Sequence, residues 1–180
     1  MKLKVSKRAP QGESLNAIRR QGNIPAVIYR GQDKGEMITV EGADFEKALR
    51  TMEKGHLPTT VFEVDGKRAI VKEIQYHPST YQILHVDFQE LKEDRTVDVN
   101  VPTKCLNEAY CTGIKLGGFL RQVRRHVKVR CLPKDMPKHF EIDVKELNIG
   151  QAKKAKDIAM GSGVRSLFPL DEVVVVIAKR

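Results

Sequence analysis

Residues 10–31 read PQGESLNAIRRQGNIPAVIYRG, and this stretch decides how the first half of the chain folds. Ser14 has a side chain that caps helices, so the sequence predicts one helical turn with Leu15 and Ile18 facing inward. Helices often end at a residue in the left-handed conformation, which glycine adopts more easily than any other residue type. Gly22 is therefore the predicted end of this helix. The first half of the stretch is therefore predicted to be a short, capped helix.

The second half of the stretch is predicted to be a buried strand. Pro25 imposes an extended backbone, and the apolar residues 26–29 follow it directly. Arg19 and Arg20 stand between the helix stop and this strand. Guanidinium groups held on a fixed backbone match phosphate oxygens well, so they are candidate phosphate ligands. The alternative is a plain helix-to-strand connection with two solvated arginines.

The composition favours a polyanionic partner. The 180 residues carry a formal net charge of +9, and residues 1–30 hold seven basic side chains against one acidic side chain. Such a balance is typical of proteins that bind nucleic acid. Hydrophobic residues make up 41% of the chain, which is enough for packed cores. The first residues lack the apolar core of a signal peptide and no apolar run reaches membrane-spanning length, so we expect a cytoplasmic protein without a membrane partner.

The rest of the first half predicts a small closed β-barrel with one inserted helix. Asp65-Gly66 is a favoured two-residue hairpin turn between two β-rich runs. In the last strand Leu84, Val86 and Phe88 alternate with His85 and Asp87, which places the imidazole and the carboxylate together on the outer face. The predicted elements are a strand at 2–7, a turn-rich loop at 31–35, a strand at 37–40, a helix at 44–52, a hairpin at 59–74 and a strand at 81–91.

A polar break at 92–95 predicts a domain limit, with the small β-barrel at 1–92 and a second β-rich domain at 93–180. The predicted fold class is mainly β with a few short helices. In the second half, the sequence predicts a strand of alternating apolar and polar residues that ends at Pro102. It also predicts a glycine-rich bend at 113–118, where the glycines allow backbone conformations that other residues adopt less easily. Further predicted features are a strand with one cationic face at 126–131, an alternating strand at 140–144, a basic cluster at 153–156 without assigned structure and a buried strand at 173–178. The cationic face is either solvated or in contact with RNA.

The sequence contains none of the motifs that mark the common catalytic sites. The cysteines Cys105, Cys111 and Cys131 are odd in number and lack CxxC spacing, which argues against a disulfide framework or a zinc ribbon and for a reducing compartment. The five histidines show no metal-ligand spacing, and no nucleophile elbow, Walker loop or dinucleotide fingerprint occurs. We therefore expect a non-enzyme without metal or cofactor.

Three segments of the first half together resemble the signatures of the bacterial large-subunit ribosomal protein twenty-five family, which binds 5S ribosomal RNA. They are RRQGNIPAVIY at 19–29, IQYHP at 74–78 and LHVDF at 84–88. In the second half, GIKLGG at 113–118, CLPKDMP at 131–137 and the residues 142–150 resemble the two-domain branch, which includes the general stress protein Ctc.

This resemblance implies a monomer that becomes a structural constituent of the large ribosomal subunit, in the central protuberance region beside neighbouring ribosomal proteins. Its barrel is expected to recognise the wide, shallow minor groove of a distorted RNA helix. The residues it assigns to RNA binding are Lys7, Arg8, Ser14, Arg19, Arg20, Tyr29, Gln75, Tyr76, His77, His85 and Asp87.

The chain departs from the family pattern at residues 15–17 and at Tyr76, so the contact roles of these positions stay open. Two alternatives also stay open: a module for another structured RNA such as tRNA, and a stress-associated ribosome-binding factor. Neither the partner of the second domain nor the timing of ribosome association follows from the resemblance.

Overall fold

A computed structural model describes residues 1–8, 14–30 and 35–179 of the chain. The chain forms two compact units, residues 1–95 and 96–180, so the division falls three residues after the predicted limit. Both units are mainly β with a few short helices, as predicted. The turn-rich loop predicted at 31–35 lies outside the described residues except for Gly35.

Within the described residues the first unit contains seven strands in one sheet, ordered β1-β5-β6-β7-β3-β4-β2. A short 3₁₀ helix at Leu57–Thr59 delays the start of β5 by two residues relative to the prediction. The elements are β1 (Lys2–Leu3), β2 (Val5–Lys7), α1 (Leu15–Arg20), β3 (Asn23–Tyr29), β4 (Glu36–Glu41), α2 (Gly42–Thr51), β5 (Val61–Val64), β6 (Lys67–Tyr76) and β7 (Ile83–Glu90).

The N-terminal segment closes this sheet into the predicted small barrel. The single strand expected at 2–7 is in fact two strands, because the chain changes partners at Lys4. β1 pairs in parallel with β5, and β2 pairs antiparallel with β4. β5 and β4 would otherwise be the two edges of the sheet. This one short segment therefore provides backbone hydrogen-bond partners for both edge strands.

The core of the barrel is built around three phenylalanine rings. Phe45, Phe62 and Phe88 are fully buried, and their ring centroids lie 6.1–6.2 Å apart. Phe45 comes from α2, so that helix packs its apolar side on the barrel. Asp65 and Gly66 have φ values of 50° and 72°, the geometry of the predicted hairpin turn.

The stretch at 14–29 folds largely as predicted. The Ser14 hydroxyl oxygen accepts a hydrogen bond from the Ala17 N–H at 3.3 Å and caps α1, and Gly22 ends the helix with φ +80°. Ile18 is buried, but Leu15 is 41% exposed, so the prediction that both face inward is wrong for Leu15. The six-residue helix packs on β3 for less than two turns, and its first residue therefore stays in solvent.

Within the described residues the second unit contains seven strands in two sheets, ordered β11-β8-β10-β13 and β12-β14-β9. The basic cluster without assigned structure is the end of β12 and the 3₁₀ turn Ala155–Asp157. The elements are β8 (Val97–Leu106), α3 (Thr112–Lys115), β9 (Gly118–Gln122), β10 (His126–Cys131), β11 (Phe140–Asp143), β12 (Ala152–Lys154), β13 (Val164–Ser166) and β14 (Val173–Lys179).

The prediction that Pro102 ends its strand is wrong, because β8 continues to Leu106. β8 pairs with β10 up to Pro102 and with β11 from Thr103 onward. The proline thus stands where the strand changes partners, a place where its missing N–H breaks no continuous ladder.

Other predictions for the second unit are confirmed. The alternate residues Val127, Val129 and Cys131 of β10 are buried, and the residues between them are exposed. A side chain at Gly113 or Gly118 would come within 2.8–2.9 Å of neighbouring atoms, so close packing requires these glycines. β14 buries residues of both its faces, although some of its side chains are only half-buried. No helix of the described residues is long and apolar enough to cross a bilayer.

Candidate nucleic-acid interface

The two arginines of α1 have different environments. The Arg19 guanidinium donates from Nε and Nη2 to the Leu84 carbonyl at 3.2 and 3.0 Å, and from Nη1 to Asn16 Oδ1 at 3.3 Å. Arg20 is exposed and has no hydrogen-bond or ion-pair partner among the described residues. Arg19 therefore ties α1 to the barrel, whereas the Arg20 guanidinium is available to a ligand.

A bulge in β7 creates the acceptor for Arg19. Gln75 pairs with His85 and Tyr76 pairs with Ile83, so Leu84 is an extra residue without a cross-strand partner. Its carbonyl can therefore accept the guanidinium. Leu84 is predicted to share a strand face with Val86 and Phe88, but as the bulged residue it is only half-buried, whereas Val86 and Phe88 are fully buried.

The solvent-facing side of β3, β7 and β6, here called the outer face, carries the predicted side chains of these strands. His85 Nδ1 lies 2.7 Å from Asp87 Oδ1, which confirms that the two residues share a face. Gln75 is paired with His85, and Glu73 and Val27 are paired with Asp87. At this distance His85 Nδ1 can donate to the Asp87 carboxylate, and the Nε2 of the ring then remains as an acceptor.

Tyr29 belongs to the same outer face. Burial raises the pKa of its phenol above the usual value, and the negative charges of Asp87 and Glu73 raise that pKa further. Tyr29 therefore stays protonated near neutral pH and can donate a hydrogen bond. Glu73 and the neighbouring Gln89 are not among the residues predicted from the sequence, and Gln89 Oε1 is buried without a partner in the described part of the chain. Only the register between strands identifies these two residues.

Lys7 and Arg8 lie at the far side of the sheet. The Arg8 N–H donates to the carbonyl of Met37, a residue that pairs with Val27, so Arg8 continues the row that holds Asp87. Lys7 points to the opposite side of β2, and its Nζ lies 3.4 Å from Asp65 Oδ2. Arg8 thus lies in the same row of residues as Asp87 on the outer face, whereas Lys7 forms an ion pair with Asp65 on the other side of β2.

The hairpin end at residues 76–82 is tightly organised. The His77 N–H donates to the Gln82 carbonyl at 2.8 Å, and the Tyr81 N–H donates to the His77 carbonyl at 2.9 Å. His77 Nδ1 accepts from the N–H groups of Ser79 and Thr80, both at 3.3 Å. His77 therefore orders the loop with one ring nitrogen and leaves only Nε2 for a ligand. Tyr76 is 50% exposed.

In the second unit, internal ion pairs neutralise part of the cationic surface. The Arg130 guanidinium donates to both carboxylate oxygens of Asp98 at 2.6 and 2.9 Å, and Arg124 donates to Glu172 at 2.8 and 2.6 Å. Lys128 remains exposed on β10. No group of three metal-ligating side chains occurs in residues 1–8, 14–30 and 35–179.

Comparison with known proteins agrees with the two units. The ribosomal L25p family matches residues 3–88, and the C-terminal domain of ribosomal protein TL5 matches residues 96–180. The chain is 43% identical to "Large ribosomal subunit protein bL25" of Chlamydia muridarum and 44% identical to the protein of that name from Chlamydia trachomatis serovar L2, in each case over 185 aligned positions that cover all of both chains. These matches confirm the resemblance found in the sequence, and the chain belongs to the ribosomal L25p family.

Proposed function

We propose that this protein is a structural constituent of the large ribosomal subunit and binds 5S ribosomal RNA through the outer face of its first unit. Membership of the L25p family and the full-length similarity to large-subunit proteins support the ribosomal role. The work it does there is binding rather than catalysis. Its place is the cytoplasmic ribosome, in the central protuberance region beside neighbouring ribosomal proteins.

The observation that carries the RNA proposal is the 2.7 Å contact between His85 and Asp87 on the solvent side of a hydrogen-bonded sheet. The pair presents two acceptors, the His85 Nε2 and the second oxygen of Asp87. RNA offers matching donors in its shallow minor groove, because 2′-hydroxyl groups and guanine amino groups both lie there. Gln75 beside His85 and the Tyr29 phenol add a donor and acceptor set on the same strands.

The charge distribution supports the same orientation of the RNA. Asp87 and Glu73 make the centre of the outer face acidic, which repels phosphates from that centre. Arg20 and Arg8 lie at its margins, where phosphates of a bound helix would pass. Base edges and riboses would thus meet the middle of the sheet, and the backbone would meet the arginines.

Binding of the full chain to 5S ribosomal RNA and to tRNA, measured at the same salt concentration, tests the proposal. We expect clearly tighter binding to 5S RNA, and the difference should persist as the salt concentration is raised because base and ribose contacts depend less on counterions. Equal affinity for both RNAs at every salt concentration would overturn the assignment and favour a general structured-RNA module.

A further inference from the structure

The hairpin end at 76–82 contains an exposed aromatic side chain that the fold of the unit does not use. Tyr81 is 78% exposed, more than any of the other large apolar or aromatic side chains at the surface of the described residues. Its ring therefore contributes little to burial. The RNA-binding residues predicted from the sequence do not include it.

The backbone at Tyr81 is also unfavourable for this residue type. Its φ is +55°, in the left-handed region that glycine and asparagine occupy readily and bulky side chains rarely adopt. The hydrogen bonds between Tyr81 and His77 and between His77 and Gln82 hold this conformation. Glycine at this position would relieve the strain at little cost in packing, so the fold of the unit itself does not account for a tyrosine here.

The surroundings indicate what this partner is. Residues 76–82 contain no acidic side chain, and the next cross-strand pair, Gln75 and His85, belongs to the outer face. The bonds from Arg19 to the Leu84 carbonyl hold α1, and with it the exposed Arg20, close to the base of the hairpin. An exposed aromatic ring at the end of a polar sheet face, on the hairpin to whose strand α1 is bonded, fits an unstacked nucleotide.

We propose that Tyr81 stacks on an unpaired base of the bound RNA, while Arg20 contacts a nearby phosphate. This inference rests on the proposed function, because it assumes that RNA lies on the outer face. It adds a contact that the outer face alone lacks: a stacking surface for a base that has left the helix. The ordered loop lowers the entropic cost of this contact.

Two substitutions separate the ring from the loop. Tyr81→Gly removes the ring and suits the positive φ, so the thermal midpoint of the full chain should stay the same or rise while its affinity for 5S ribosomal RNA falls. The expected loss is between about 5-fold and 150-fold, the range that one base–aromatic stack accounts for. Tyr81→Phe keeps the ring and should bind within about twofold of the unchanged protein. Tyr110→Ala removes a 65% exposed tyrosine from the second unit and serves as the matched control, with unchanged 5S affinity.

A spectroscopic measurement tests the stacking directly. The chain contains no tryptophan, so Tyr81→Trp introduces a single tryptophan, which can be excited at wavelengths that the tyrosines do not absorb. Its emission should be quenched when 5S RNA binds, and the emission of Tyr110→Trp should not. Equal 5S affinity of Tyr81→Gly and the unchanged protein would overturn the stacking role. Tyr81 would then be a candidate contact for a neighbouring protein instead of RNA. Equal affinity of the unchanged protein for 5S RNA and tRNA would instead overturn the proposed function alone.

Discussion

Arg19 and Arg20 are adjacent and identical, but the fold gives the two side chains different surroundings. Three hydrogen bonds from Arg19 are made within the protein, two of them to the extra carbonyl of the β7 bulge. Arg20 meets only solvent among the described residues. The RNA contribution and the structural contribution of this pair should therefore separate on substitution.

We expect Arg20→Ala to weaken 5S binding without changing stability. Loss of one phosphate contact should reduce the slope of log K against log salt by about 0.7 to 0.9. Arg19→Ala should instead destabilise the unit by about 1.5 to 3 kcal/mol, because it leaves the Leu84 carbonyl without its charged donor. Salt titrations and chemical denaturation of both variants measure these effects. An unchanged salt slope for Arg20→Ala would mean that this arginine stays solvated in the complex.

Asp87 is the one acidic side chain among the predicted RNA-binding residues, which makes its substitution informative. Asp87→Ala leaves the buried side of β7 intact, so thermal stability should hardly change. If the carboxylate accepts from a base amino group or a 2′-hydroxyl and orients His85, its loss should cost about 1 to 3 kcal/mol of binding, by analogy with direct base contacts in DNA. Measuring both the affinity for 5S RNA and the thermal midpoint of the variant distinguishes a loss of binding from a loss of stability. Tighter binding by the variant would show that Asp87 only repels the RNA.

At the scale of elements, the barrel depends on an N-terminal segment of a few residues. β1 and β2 pair with strands at opposite ends of the sheet order, and Leu3 of β1 is buried in the core. The salt bridges from Lys4 to Glu41 and Asp44 are largely exposed, so the ladder hydrogen bonds and the buried leucine account for most of the closure.

Removal of residues 1–4 should therefore open the barrel. The variant loses β1 and exposes the edge of β5, so we expect a lower thermal midpoint and increased light scattering from edge-to-edge association. Lys2→Ala is the matched control. It removes only an ion pair whose lysine side chain is 83% exposed, and should change stability by less than about 0.5 kcal/mol. A deletion variant as stable and monomeric as the full chain would show that β1 is dispensable for closure.

At the scale of the whole molecule, the first unit holds everything that the RNA proposal needs. Its core cluster is drawn entirely from residues between Leu3 and Phe88, and the outer face, α1 and the hairpin end precede the division at residue 95. The second unit has its own sheets and its own buried residues. The two units should therefore be separable in solution.

We expect a fragment of residues 1–95 to fold and to bind 5S RNA within a few fold of the full chain. Circular dichroism and a binding titration on the same sample measure the two properties together. The fragment of residues 96–180 is the control and should bind 5S RNA and tRNA without preference. A folded 1–95 fragment that fails to prefer 5S RNA would contradict the assignment of recognition to the first unit.

Local chemistry by itself determined much of this protein. The Ser14 cap, the stop at Gly22 and the turn at Asp65-Gly66 follow from the conformations that single residues prefer. The two-residue period places His85 with Asp87 and separates the faces of β10, because side chains alternate along any strand. The β-rich class and the shared face of His85 and Asp87 could thus be predicted without coordinates.

How these local pieces meet depends on contacts between residues that are distant in the chain. The closure by β1 and β2, the passage of β8 through Pro102 and the bonds from Arg19 to Leu84 all depend on which strands become neighbours and in which register. The approach of Tyr29 to Glu73 and the positive φ of Tyr81 depend on them as well. Register and bulges are set by packing between residues distant in the chain, and a local pattern of side chains carries no record of that packing.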